Sequence, residues 1–297
     1  MPQDLLDPDS RAAVSRVIAV DAPKGGVGKS SFAATIAGLI AAQGHRVLLV
    51  TTDHQDDAGE ELGYHLRDQE DDGRALAHAL RDQVGVVPSI RDVRSNLDVV
   101  CGGRALVHYA KKLSGQDYDG TLDLTLLARV LAPTAAQYSF VVIDCAPGED
   151  TLRKLVLNAA KWVLIPTTID KSSQKNVERL AERFAEARET NPGLMLLGVA
   201  LFRIAASHSR IRRETAEVMG EVLEGSGAPV FESIIRDATN ASRAVREFGQ
   251  LPHELVKQRS RAGFRSLIPV NTADLAKDYV SLTKEILARI AKYEKDH

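Results

Sequence analysis

Short apolar runs alternate with longer stretches of helical period along the chain. Val17-Ile-Ala-Val20 reads as a buried strand, and Ser30 to Ala42 as the helix after it, with Gly44 as its C-terminal stop. Val47-Leu-Leu-Val50 is a second such strand. A helical stretch near Leu122 to Leu131 precedes a third, Phe140-Val-Val-Ile-Asp144. Trp162-Val-Leu-Ile-Pro166, Leu194 to Leu201 and Pro229 to Ile235 continue the series, with helical segments between them. Apolar runs without polar alternation are buried on both faces. Separated by helices, they predict an α/β fold with a doubly wound, mostly parallel sheet flanked by helices. No linker divides the chain, so a single domain is expected over residues 1–297, with an N-terminal arm at 1–16 and a core at 17–290. The polar stretch Arg67 to Gly73 is expected to be a surface insertion.

The clearest chemistry lies between the first strand and its helix, in Lys24-Gly25-Gly26-Val27-Gly28-Lys29-Ser30, followed by Ser31. Glycines let successive backbone N–H groups turn inward toward phosphate oxygens, and the helix N-terminus adds partial positive charge. Lys29 suits the β- and γ-phosphates, and the Ser30 hydroxyl suits Mg²⁺. The ordinary phosphate-loop pattern wants glycine at position 23, where this chain has Pro23. The variant that opens with a lysine fits at every position. The segment thereby resembles the deviant Walker A motif of the ParA/MinD ATPases. That resemblance implies ATP and Mg²⁺ as cofactors, and a nucleotide-sandwich homodimer in which Lys24 reaches the partner's ATP. A second cation there stabilises charge that develops during phosphoryl transfer.

Two aspartates follow buried strands. Asp144 ends Phe140-Val-Val-Ile143 and precedes Cys145-Ala-Pro-Gly148, in the place of the family's Walker B strand and the switch after it. A carboxylate at that strand end suits a Mg²⁺ site, usually through water. The family more often has Thr-Pro-Pro where this chain has Cys145, Ala146 and Pro147. Val50-Thr-Thr-Asp-His-Gln55 resembles the family's switch I, in which Asp-x-Asp-Pro-Gln is common. Asp53 and Gln55 match, whereas Thr51 replaces the first aspartate and His54 the proline. The resemblance gives Asp53 the attacking water or support of the metal, and Thr51 bears on metal affinity and hydrolysis rate.

Net charge changes the picture only locally. The total is −2. Residues 1–200 sum to −5 and residues 201–297 to +3. Asp53 to Asp72 holds nine acids and one arginine, while Arg236 to Arg265 holds seven basic residues and three acids. Pro229 to Arg236 and the segment beyond it look like the late strand and loop of ParA proteins. By that resemblance Arg236, Arg243, Arg246, Arg259 and Arg261 are candidate contacts to nonspecific DNA, through phosphates without base readout. Arg243 and Arg246 are spaced to share a helical face. About sixteen residues precede the first strand, so no helix-turn-helix module is expected there. Two cysteines, Cys101 and Cys145, make no disulfide framework or four-thiolate zinc site, and neither matches the cluster cysteines of the nitrogenase iron protein. The N-terminus MPQDLLDPDSR lacks the apolar segment of a signal peptide, and no apolar run approaches a membrane span. Thr272 to Tyr293 places Leu275, Tyr279, Leu282, Ile286, Leu287 and Ile290 near helical spacing. This predicts a helix docked on the sheet rather than a MinD-like membrane-targeting helix.

These observations identify the chain as resembling a ParA-type partition ATPase without an N-terminal helix-turn-helix domain. The implied cycle is ATP-dependent dimerisation, nonspecific DNA binding, and slow hydrolysis stimulated by a ParB-like centromere-binding partner. The implied place is the cytoplasm, on the nucleoid when ATP is bound. The alternatives are a MinD-like or other cargo-positioning ATPase, a dethiobiotin-synthetase-like ligase, and a regulatory ATP-binding protein with almost no hydrolysis.

Overall fold

The computed structural model describes residues 4–22, 24–65, 70–168, 173–204, 230–261 and 263–296. Pro23, positions 67–69 of the polar stretch, and Pro229 lie outside them. The chain runs α1 (Pro8–Ala13), β1 (Val17–Val20), α2 (Lys29–Ala42), β2 (Val47–Thr51), α3 (Asp57–Leu62), α4 (Arg74–Asp82), β3 (Ile90–Arg94), β4 (Leu97–Val100) and α5 (Arg104–Tyr118). It continues through α6 (Leu126–Ala135), β5 (Phe140–Asp144), α7 (Asp150–Ala159), β6 (Trp162–Thr167), α8 (Ser173–Thr190), β7 (Met195–Ile204) and β8 (Ile235–Arg236). The last described helices are α9 (Thr239–Phe248), α10 (Pro252–Arg259) and α11 (Thr272–Asp296).

Among the described residues the sheet has eight strands in the order β3-β4-β2-β5-β1-β6-β7-β8, parallel except for the β3–β4 pair. Alternate residues of each central strand enter opposite cores. Val17, Ala19, Leu48, Val50, Val141 and Ile143 face the layer containing α4 to α7. Ile18, Val20, Val47, Leu49, Phe140 and Val142 face α2, α3 and α11. This is why those strands read as unbroken apolar runs. In α11, Leu275, Tyr279, Leu282, Ile286 and Ile290 are buried in that second core, so the apolar stripe is used inside the molecule. Among the described residues no helix is long and apolar enough to cross a membrane.

Several expectations shift. The helix near Leu122 lies at Leu126–Ala135, after a turn in which Asp123 accepts from the Thr125 amide and hydroxyl. The strand expected over Pro229 to Ile235 is a lone bridge at Val230 and a two-residue ladder at Ile235–Arg236. The hairpin β3–β4 had no counterpart in the pattern. Its first strand takes φ +51° at Asp92, and Ile90 and Val93 are buried three residues apart, so a bulge hides the period of two. The end of the polar stretch is structural. Asp71 accepts from the amides of Gly73 and Ala75 and from the Ser89 hydroxyl. Asp72 accepts from the Arg104 amide. Both cysteines are buried. Burial pushes the Cys101 thiol up to about 12 and raises the Cys145 thiol as well, which keeps them unreactive.

Candidate phosphate-loop site

Register brings the chemistry to one sheet edge. Val20 pairs with Asp144 and Thr51 pairs with Asp144, so the ends of β1, β2 and β5 lie side by side. In an open α/β sheet this carboxyl edge is where ligands bind. The loop from β1 to α2 curls there. Gly26 and Gly28 have φ of +77° and +85°, a region that glycine adopts freely. A Cβ on Gly28 would also lie 2.7 Å from the Phe202 ring. Gly28 immediately precedes α2, so the unsatisfied amides of that helix's first turn face the loop. Val27 and Lys29 are buried, whereas Lys24 is exposed. The Lys29 ammonium donates to the Lys24 carbonyl at 3.4 Å.

Asp144 is fully buried, and neither carboxylate oxygen has a hydrogen-bond partner of ordinary geometry. Burial pushes its carboxyl up to about 8, against the pull of the Ser30 hydroxyl and the Lys29 ammonium. Its backbone carbonyl accepts from both the Thr52 amide and the Thr52 hydroxyl. The same hydroxyl accepts from the Ala146 amide at 2.9 Å. The turn after β2 and the end of β5 are thus stitched together by one threonine. Asp53 is also buried, and its Oδ1 accepts from the Gln55 amide at 3.1 Å and lies 3.2 Å from His54 Nδ1.

The cleft above these groups holds about 460 Å³. Its floor is Gly25, Gly26, Gly28, Lys29, Ser30 and Ser31, and Asp53, Gln55 and Pro147 form one side. Phe202 and Arg203 at the end of β7, with Thr239, Ser242, Arg243 and Arg246 on α9, form the opposite wall. Among the described residues no group of three His, Cys, Asp or Glu side chains could hold a metal by itself. Ser30 and Asp144 instead suit a metal shared with a phosphate. Sequence reasoning named Arg243 and Arg246 only as DNA contacts and missed Phe202 and Arg203. Their signal was the rule that found Asp53 and Asp144, a polar residue at a buried strand's end, but β7 runs three residues beyond Leu201.

The five candidate DNA-contact arginines do not share a face. Arg236 is forked onto Asp278 at 2.7 and 2.9 Å and lies 3.2 Å from Asp274. Arg243 and Arg246 do lie together on α9, but against the phosphate-loop cleft. Arg243 pairs with Glu247 at 3.0 Å, and Arg246 stands 3.7 to 3.9 Å from Asp57, Glu60 and Glu61. Arg259 donates to the Ile268 carbonyl at 3.0 Å. Arg261 lines a second surface cleft with Arg94 and Lys257.

A parallel sheet, a lysine-opened glycine loop and two strand-end carboxylates define a P-loop ATPase of the deviant Walker A type. The sequence agrees. The profile of the family described as an AAA domain, AAA_31, matches residues 15–196, and the chain belongs to that family. It is similar to the chromosome partitioning protein ParA of Myxococcus xanthus, 28% identical over 75% of this chain and 76% of that protein. It is equally similar, at 28% over 71% of this chain and 82% of the relative, to the maintenance of carboxysome distribution protein A of Synechococcus elongatus. Among solved structures, the ATP complex of a Cyanothece McdA variant superposes with a TM-score of 0.69 at 21% identity, covering 92% of this chain and 96% of that one. The protein is a ParA-type ATPase.

Proposed function

We propose that this chain is a DNA-partition ATPase in which ATP and Mg²⁺ close a sandwich dimer that holds nonspecific DNA. A ParB-like partner bound at a centromere then stimulates hydrolysis and release. The observation that carries the reading is the convergence of the Lys24–Ser31 loop, Asp53 and Asp144 at one sheet edge. In this reading the loop amides, Lys29 and Ser31 hold the phosphates, and Ser30 and Asp144 hold the metal, Asp144 through water. A bound dication supplies Lewis-acid stabilisation of phosphate charge, and the buried, unpartnered Asp144 carboxylate is the group its charge would keep ionised. Asp53 orients the attacking water. Exposed Lys24 crosses to the partner protomer, which ties dimerisation to the triphosphate.

A second reading is positioning of a protein cargo. The similarity to a carboxysome-distribution protein, as high as that to a chromosomal ParA, favours it. Retention on nonspecific duplex DNA, without nucleotide, with ADP and with ATP–Mg²⁺ over a salt series, tests the partition reading. Arg243 and Arg246 line the nucleotide cleft, so the DNA variant is Lys257→Glu/Arg261→Glu on the separate basic surface. The expected result is ATP-dependent, salt-sensitive retention that this variant loses while it still binds ATP. No retention with any nucleotide sinks the DNA carrier and leaves the ATPase.

A further inference from the structure

Asp56 lies behind the cleft. It directly precedes α3 with φ +46° and ψ +47°, yet its side chain does not cap that helix. It is only 2% exposed. Its Oδ1 accepts from the Thr51 hydroxyl at 2.9 Å and from the Tyr64 hydroxyl at 2.8 Å. The Thr51 oxygen in turn accepts from the Gly102 amide. Oδ2 is buried with no partner. One carboxyl oxygen therefore joins the end of β2, the start of α3, the turn after α3 and, through Thr51, the loop after β4. The segment it spans, 51–56, is the one that carries Asp53 and Gln55 into the cleft. The loop after β4 also touches that segment directly, since a Cβ on Gly102 would lie 2.2 Å from the Asp53 carbonyl oxygen. Burying a carboxyl group with one oxygen unpaired is unfavourable, and helix capping does not account for it here.

We propose that Asp56 is a positioning residue that fixes the 51–56 turn through Oδ1, so that Asp53 and Gln55 stay aimed at the phosphate loop. It supplies from position 56 the carboxyl group that the Asp-x-Asp-Pro-Gln pattern supplies from position 51. The 2.9 Å between Thr51 Oγ1 and Asp56 Oδ1 puts residue 51 beside the point that the carboxyl group occupies, which makes the exchange a direct test. The role rests on the ATPase reading above.

The test compares single-turnover ATP hydrolysis and affinity for a fluorescent ATP analogue in the full chain. Asp56→Gly suits the left-handed backbone and removes Oδ1. It is expected to slow hydrolysis roughly 100-fold, the scale of an ångström-sized misplacement. Affinity should stay within about threefold, because Asp56 does not touch the cleft. Asp56→Asn keeps an oxygen acceptor for Thr51 and Tyr64 and should recover most of the rate. The exchange Thr51→Asp/Asp56→Gly should recover it from the other side. Wild-type hydrolysis by Asp56→Gly, an Asp56→Asn protein as slow as Asp56→Gly, or an exchange without rescue each overturns the positioning role alone. A wild-type chain that neither binds nor hydrolyses ATP overturns the ATPase reading and this role with it.

Discussion

Glu61 is buried in α3, and its Oε1 accepts the Ser31 hydroxyl directly behind the phosphate loop. Burial pushes its carboxyl up to about 7, and the Ser31 hydrogen bond and Arg246 offset that only in part. A carboxyl group whose folded pKa is raised gives stability that is complete below its unfolded pKa, near 4.5. That stability is lost as pH rises through the folded value near 7. Glu61→Gln keeps the acceptor and removes the titration. It should therefore melt close to wild type at pH 4.5 and be the more stable protein at pH 8, by up to roughly 3 kcal/mol. Thermal melts across that range check it, and a wild-type advantage at pH 8 would sink the account. Asp56 shows the same direction, raised to about 7 by burial, so part of the slope should remain in the variant. None of this was readable from the acidic run Asp53 to Asp72. Composition marks such a run as solvated, and only the fold shows that Asp56 and Glu61 turn inward beside Asp53.

Arg94, at the end of β3, joins four elements. It forks onto Glu254 of α10, with one arm at 3.0 Å, and donates to the carbonyls of Leu62 at 3.1 Å and Gly249 at 2.8 Å. Beneath it α3 and α9 meet glycine to glycine, where a Cβ on Gly249 would lie 2.5 Å from the Gly63 Cα. The cleft wall on α9 is thereby seated against α3. Arg94→Ala removes the ion-pair partner of Glu254, which keeps only the Leu251 amide, and the donor to two carbonyls, and should cost about 2–4 kcal/mol in urea unfolding. Arg94→Lys should recover only part of that, because an ammonium cannot present the planar fork. A lysine variant as stable as wild type would sink the fork argument. The central elements were legible because β1, β2, β5 and β6 are buried on both faces and read as unbroken apolar runs. The hairpin holding Arg94 was not, because its bulge removes the alternation. The phosphate loop and the strand-end aspartates were legible from local spacing. The α9 wall was not, because its contacts join residues almost two hundred positions apart.

At the scale of the whole molecule, the two lysines of the loop are placed for different tasks. Lys29 is buried inside its own loop, with its ammonium turned back toward the Lys24 carbonyl. Lys24 is exposed at the loop's opening. Behind the loop, Asp21 at the end of β1 pairs with Arg153 of α7 at 3.1 Å, and Arg153 also holds Asp150 at 2.7 Å. Asp150 begins α7 just after Gly148 and lies 3.1 Å from Arg183 of α8. The end of β1, the segment after β5 and the helices outside them therefore form one connected charged chain behind the loop, and its front is the open cleft. Removing the buried lysine should abolish binding, because the phosphates lose the cation inside the loop. Removing the exposed one should spare binding and prevent assembly. Lys29→Ala is thus expected to show no ATP-analogue binding. Lys24→Ala should bind within about threefold of wild type yet remain a monomer in ATP–Mg²⁺ by light scattering, where wild type is expected to dimerise. A Lys24→Ala protein that dimerises normally on ATP would assign that lysine to its own protomer, and the link between triphosphate and dimer would then have to come from other surface groups.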